Sequence, residues 1–77
     1  MNKQVFTLKD EHIKLGQLLK AVGFAESGSE AKEMILEGRV TVNGEVSLQR
    51  GKKCVPGDVV EWNGCQVEIA GPEMDNE

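Results

Sequence analysis

The chain has 77 residues, 39% hydrophobic and 29% charged, with a mean hydropathy of -0.35 and a formal net charge of -4. This is one small domain of ordinary globular composition, which excludes wholesale disorder, and its core is thin because a chain this short buries only about 60% of the surface its unfolded form exposes. No apolar run approaches the ~20 residues that span a bilayer. MNKQVFTLKDEH carries neither the apolar stretch nor the cleavage site of a signal peptide, so the expected location is the cytoplasm, with no membrane partner.

QVFTL, residues 4–8, mixes β-branched and aromatic residues and predicts a short strand, with KDEH following as a turn or loop. Leu15, Leu18, Leu19 and Val22 recur at i, i+3, i+4 and i+7, one face of a helix that Gly23 is placed to end, with Ile13 in its entry. Ser27-Gly28-Ser29-Glu30 has the form of a capping box, Ser27 at the N-cap and Glu30 three residues on. Ala31, Met34 and Ile35 supply the apolar face of a second helix and Gly38 its stop. Neither helix is long enough to be stable alone, so the two must pack on each other or on a sheet.

After Gly38 the period changes to two. Val40 and Val42 fall on one face and Arg39, Thr41 and Asn43 on the other. Asn43-Gly44 is a strong hairpin signal, because a type I′ turn needs positive φ at both positions. Val46 and Leu48 continue on the return, residues 49–53 form a second turn or loop, and residues 55–58 a third. Val59, Val60 and Trp62 predict a strand, Asn63-Gly64 another hairpin turn, and Val67 and Ile69 a last strand. The expected fold is α+β over residues 1–70: two short packed helices followed by a small antiparallel sheet of short strands, with an N-terminal strand added. Pairing of the first strand with the last would bring the ends of the domain together. GPEMDNE, residues 71–77, reads as an acidic, disordered tail.

The residues of an enzyme are missing. There is one histidine and no tyrosine, and His12 beside Asp10 and Glu11 reads as a solvated loop residue rather than an acid–base centre. The phosphate-loop pattern GxxxxGK[ST] does not occur. Cys54 and Cys65 are too few for a disulfide scaffold and, with one histidine, cannot complete a four-ligand zinc set, so no metal or cofactor is expected. Both read as reduced thiols, with a Cys54–Cys65 disulfide the alternative. Cys54 follows two lysines that could lower its pKa, but a small thiol packed in a strand is the favoured role.

Charge is distributed unevenly. Residues 39–54 carry Arg39, Arg50, Lys52 and Lys53 against Glu45 alone, whereas residues 55–77 carry six acids and no Lys or Arg. A solvated loop, or lysines guarding a sheet edge, would account for part of this. Three features favour a binding surface: the segregation itself, a hairpin that could set Arg39 beside the Arg50–Lys53 loop, and the Ser27-Gly28-Ser29 helix start. There glycine admits a phosphate to free backbone N–H groups at the positive end of the helix dipole. Lys32, one turn in, could project to the same side and complete a basic surface for a nucleic-acid backbone. With three aromatics in the chain and Trp62 better suited to the core, base stacking on aromatics is not the main source of binding.

The run LGQLLKAVGFAESGSEAKEMILEGRVTVNGEVSLQRGKKCVPGDVVEW resembles the S4 RNA-binding domain, also called the alpha-L motif. The matching positions are Leu15, Leu18, Leu19 and Gly23; Ser27, Ala31 and Lys32; Ile35, Gly38, Val40, Val42, Asn43 and Gly44; and Val55, Gly57, Asp58 and Val60. Its length is that of the short stand-alone bacterial members. The resemblance implies a non-catalytic protein binding structured RNA, most plausibly ribosomal RNA, through Ser27, Lys32, Arg39, Asn43, Arg50, Lys52 and Lys53, to which the open helix start adds Gly28; the expected state is a monomer. A ribosomal protein is a further expected partner. Many members carry Arg directly after the helix-two Ser and at the Lys32 position; here these are Gly28 and Lys32, and Lys lacks the bidentate fork of Arg. The competing expectation is a protein-interaction module whose acidic strands and tail, residues 55–77, dock on a basic partner.

Overall fold

Period-two alternation in the second half of the chain builds the sheet on which both helices rest. The computed structural model describes residues 2–71, so the expectation for the tail falls almost wholly outside the described residues. The elements in chain order are β1 (Asn2–Thr7), β2 (Ile13–Lys14), α1 (Leu15–Ala21), α2 (Gly28–Leu36), β3 (Val40–Val42), β4 (Glu45–Val46), β5 (Lys53–Cys54), β6 (Val59–Trp62) and β7 (Cys65–Ala70). Five strands form one sheet in the order β1-β7-β6-β3-β4, and β2 and β5 form a separate two-stranded ribbon.

The first and last strands do pair, but in parallel, with Gln4 opposite Val67 and Phe6 opposite Ile69. The sheet is therefore mixed rather than antiparallel throughout. No hairpin joins β1 to β7; both helices and five strands intervene, so no tight turn forces the antiparallel direction. All other pairings are antiparallel.

Opposed residues share a face of a sheet, and here one face is closed by the helices. Val42, Val60 and Val67 stand in register and are buried, as are Val40 and Ile69. Leu15, Leu18 and Leu19 of α1 and Ala31, Met34 and Ile35 of α2 cover them. The opposite face carries Lys3, Gln66, Glu61 and Thr41 in one register row and Val5, Glu68 and Val59 in the next. Trp62 is half-buried against the core, its ring 5.3 Å from that of Phe24, which is the packing role its sequence context predicts.

Helix α2 starts as its capping signature predicts. The Ser27 hydroxyl accepts a hydrogen bond from Glu30 N at 3.1 Å. The Glu30 carboxylate turns back to accept from Glu26 N at 2.7 Å, one residue earlier than in the standard box.

The two hairpin turns adopt positive φ at both central residues, Asn43 (54°) and Gly44 (88°), then Asn63 (52°) and Gly64 (78°). Asn43 does more than turn the chain. Its Nδ2 donates to Asp58 Oδ1 at 3.0 Å, and its Oδ1 accepts from Val59 N at 2.9 Å. Asp58 Oδ2 in turn accepts from Val55 N at 2.9 Å. The Asn-Gly turn and the Val55–Asp58 turn are thus one hydrogen-bonded clamp.

Cys54 and Cys65 are not joined in a disulfide. Cys54 is fully buried on β5, and burial, aided by the Asp58 carboxylate and opposed by Lys52, pushes its pKa up to about 11. It is therefore a protonated packing group at neutral pH rather than a lysine-activated nucleophile.

The clamp makes a graded prediction for stability. Asn43→Gly keeps the backbone conformation and loses the side-chain bonds, at a cost of about 1 kcal/mol. Asn43→Ala adds the strain of a Cβ in the left-handed region, for about 2 kcal/mol in all. Urea denaturation measures both; an alanine variant as stable as the glycine variant contradicts this account.

Candidate nucleic-acid interface

Helix α1 begins without a side-chain cap: Lys14 holds the N-cap position in extended conformation and offers no acceptor. The N–H groups of a first helical turn lack partners within the helix. Here Leu15 N donates to Lys52 O at 2.9 Å and Gly16 N to Arg50 O at 3.0 Å. The Arg50–Lys53 loop therefore caps α1 through its backbone. The Arg50 side chain lies over Gly16, where a Cβ would stand 3.6 Å from Arg50 Cγ. Immediately before the helix, the β2–β5 ribbon sets Ile13 opposite buried Cys54 and exposed Lys14 opposite exposed Lys53. Like charges directly opposed across two strands repel, so the ribbon holds a lysine pair whose separation an anion would relax.

Three grooves adjoin one another around this loop. The first is lined by Lys14, Gly16, Gln17, Lys20, Gly28 and Arg50. The second shares Arg50 and adds Lys32, Leu36 and Leu48. The third shares Leu48 and adds Lys52, Glu45 and the Asn43 turn. Gly28, the first residue of α2, faces open space at its Cβ position, so the start of that helix is accessible from the first groove.

Of the residues singled out in the sequence, the structure brings Gly28, Lys32, Arg50, Lys52 and Lys53 to this surface. The Ser27 hydroxyl is engaged as the α2 cap. The Asn43 amide is engaged in the clamp with Asp58 and Val59. Arg39 is not beside the loop. Burial of Val40 and Val42 turns it, with Thr41, to the helix-free face of the sheet, where it lines a groove with Glu61, Asn63 and Gln66. Its Nε lies 3.4 Å from Glu37 Oε1.

Sequence reasoning passed over Lys14, Gln17 and Lys20. Gln17 and Lys20 stand one turn apart on α1 beside the leucine stripe, with Lys14 directly before the helix, and that signal was available. Among the described residues no cluster of His, Cys, Asp or Glu could hold a metal ion, and no helix is long and apolar enough to cross a membrane.

Residues 6–70 match the S4 domain family. The chain belongs to the S4 domain family. "Putative RNA-binding protein YbcJ" of Escherichia coli strain K12 is 41% identical over 61 residues, which span 79% of this chain and 87% of YbcJ. "Probable ribosome maturation protein RlbA" of Bacillus subtilis strain 168 is 43% identical over 58 residues, 75% of this chain and 82% of that protein. The solution structure of YbcJ, described as an alpha-L motif involved in RNA binding, superposes with a TM-score of 0.67 at 40% identity, covering 86% of this chain and 85% of that one. This S4 domain thus has the α+β alpha-L fold that its sequence motifs predict.

The ribbon offers a direct physical check. Lys53→Glu turns the repulsive pair with Lys14 into an attractive one and should raise stability by about 0.5 kcal/mol at low salt. The gain should vanish in concentrated salt, which screens exposed charges. Thermal melts at two ionic strengths test this, and a destabilised variant rules out the assigned register.

Proposed function

We propose that the chain is a non-catalytic, cytoplasmic RNA-binding protein that acts as a monomer on structured RNA, with ribosomal RNA as its target and ribosome assembly as its setting. One observation carries this reading: Lys14, Lys20, Lys32 and Arg50 converge on two grooves that share Arg50, one of which opens onto the start of α2. Lys52 and Lys53 extend the same cationic surface on the capping loop. Such a surface neutralises backbone phosphates and favours shape over base sequence, as expected for double-helical RNA. The description of YbcJ as RNA-binding and of RlbA as a ribosome maturation protein supports the same reading. Docking of a basic partner on the acidic strands has weaker support, because the helix-free sheet face mixes Glu61 and Glu68 with Lys3 and Arg39.

With four or five phosphates neutralised, log K should fall with log salt with a slope of about -3 to -4 in titrations against ribosomal RNA fragments. Lys52→Glu with Lys53→Glu should abolish binding while the fold persists, and Arg39→Glu, on the other face, should leave it unchanged. A flat salt dependence, or no binding at low salt, contradicts the proposal.

Gly28→Arg fills open space at the mouth of the first groove. It should tighten binding several-fold and steepen the salt slope by about 0.7 to 0.9, the increment for one added phosphate contact. An unchanged slope removes the start of α2 from the interface.

A further inference from the structure

Leu36 and Leu48 are each 58% exposed, and they line the same groove. Leu36 closes α2, one position beyond buried Ile35. Leu48 stands in the irregular segment between β4 and β5, where no pairing or core contact requires an apolar residue. Single exposed leucines are ordinary on a protein surface. These two differ because cations enclose them. Lys32 and Arg50 share their groove, and Leu48 is also a wall of the neighbouring groove that contains Lys52. An apolar ridge thus stands with Lys32 and Arg50 on one side and Lys52, in a groove that Glu45 also lines, on the other.

A continuous A-form duplex presents phosphates and 2′-hydroxyls and has no apolar surface for such a ridge. An unpaired, unstacked nucleotide does: its base has two apolar faces, and a phosphate leaves it on each side. The planar guanidinium of Arg50, in the same groove, is also a stacking surface for a base. We propose that this surface takes an unpaired nucleotide of a bulge or loop, its base on Leu36 and Leu48, one flanking phosphate on Lys32 and Arg50 and the other on Lys52. This rests on the RNA-binding reading and adds that the protein recognises a break in the helix.

The test compares two RNA hairpins of identical stem, one with a single-nucleotide bulge and one fully paired, titrated with the full chain. The wild type should bind the bulged RNA about tenfold more tightly, the scale of one base stacked on a side chain. Leu36→Ser with Leu48→Ser should remove that preference and leave paired-RNA affinity and its salt slope unchanged. Leu48→Phe, which offers a larger flat surface, should increase the preference and guards against a folding defect in the double variant. Equal wild-type affinity for the two RNAs, or an equal loss on both in the serine variant, overturns the proposal while RNA binding itself stands. Binding to neither RNA overturns both readings. Loss of ribosome co-sedimentation in the serine variant without any change in RNA preference assigns the ridge to a protein segment instead and also overturns it.

Discussion

Two backbone hydrogen bonds, from Leu15 N to Lys52 O and from Gly16 N to Arg50 O, join the fold to the surface it presents. Helix α1 has no side-chain cap, and the unpaired amides of its first turn would otherwise be left to solvent. Each bond contributes on the order of 1 kcal/mol, modest beside the leucine core. Their greater effect is geometric. The loop is fixed by its carbonyls, with the stem of Arg50 lying over Gly16, and among the described residues Arg50, Lys52 and Lys53 form no ion pair, so their charged ends remain available to a ligand. Stability and surface charge are thereby separated within the same four residues.

The arrangement also reconciles an acidic chain with a cationic surface. Net charge describes the whole molecule, whereas binding responds to the local field, which salt screens beyond about 8–10 Å. Five cations and one acid, Glu45, border the grooves around the capping loop, with Lys53 beside them opposite Lys14, while Glu61 and Glu68 stand on the far side of the sheet. The Lys14–Lys53 pair shows the same economy from the other direction: a cross-strand repulsion unfavourable to the isolated protein is a local departure from stability of the kind that binding sites retain.

What could be read from the sequence was local. The leucine stripe of α1, the Ser27 cap, the two Asn-Gly turns and the alternation of β3 and β6 each depend on a few neighbouring residues, and each stands where its pattern placed it. The parallel direction of β1 against β7 did not follow, because nothing in either strand encodes direction when no turn joins them. The two-residue strands β2 and β5 were also hidden, being too short to show a period. Alternation correctly set Arg39 opposite Val40 and Val42, but its distance from the Arg50 loop is a tertiary quantity, and the expected proximity does not exist. Lys14 and Lys20 were missed for the reverse reason: their placement at α1 was visible, but the loop that makes them part of a surface arrives 30 or more residues later.

The Asn43 clamp has a consequence for the chemical lifetime of the protein. Asn-Gly is the sequence at which asparagine most readily deamidates, since glycine leaves the following backbone nitrogen unhindered as it attacks the side-chain carbonyl carbon to close a succinimide. Here that carbon belongs to an amide tethered at both ends, to Asp58 and to Val59 N, so ring closure must first break the clamp. Conversion to aspartate would then set a second carboxylate against Asp58 and unlink the two turns. The hydrogen bonds that shape the hairpin also protect it from the decay its own sequence invites.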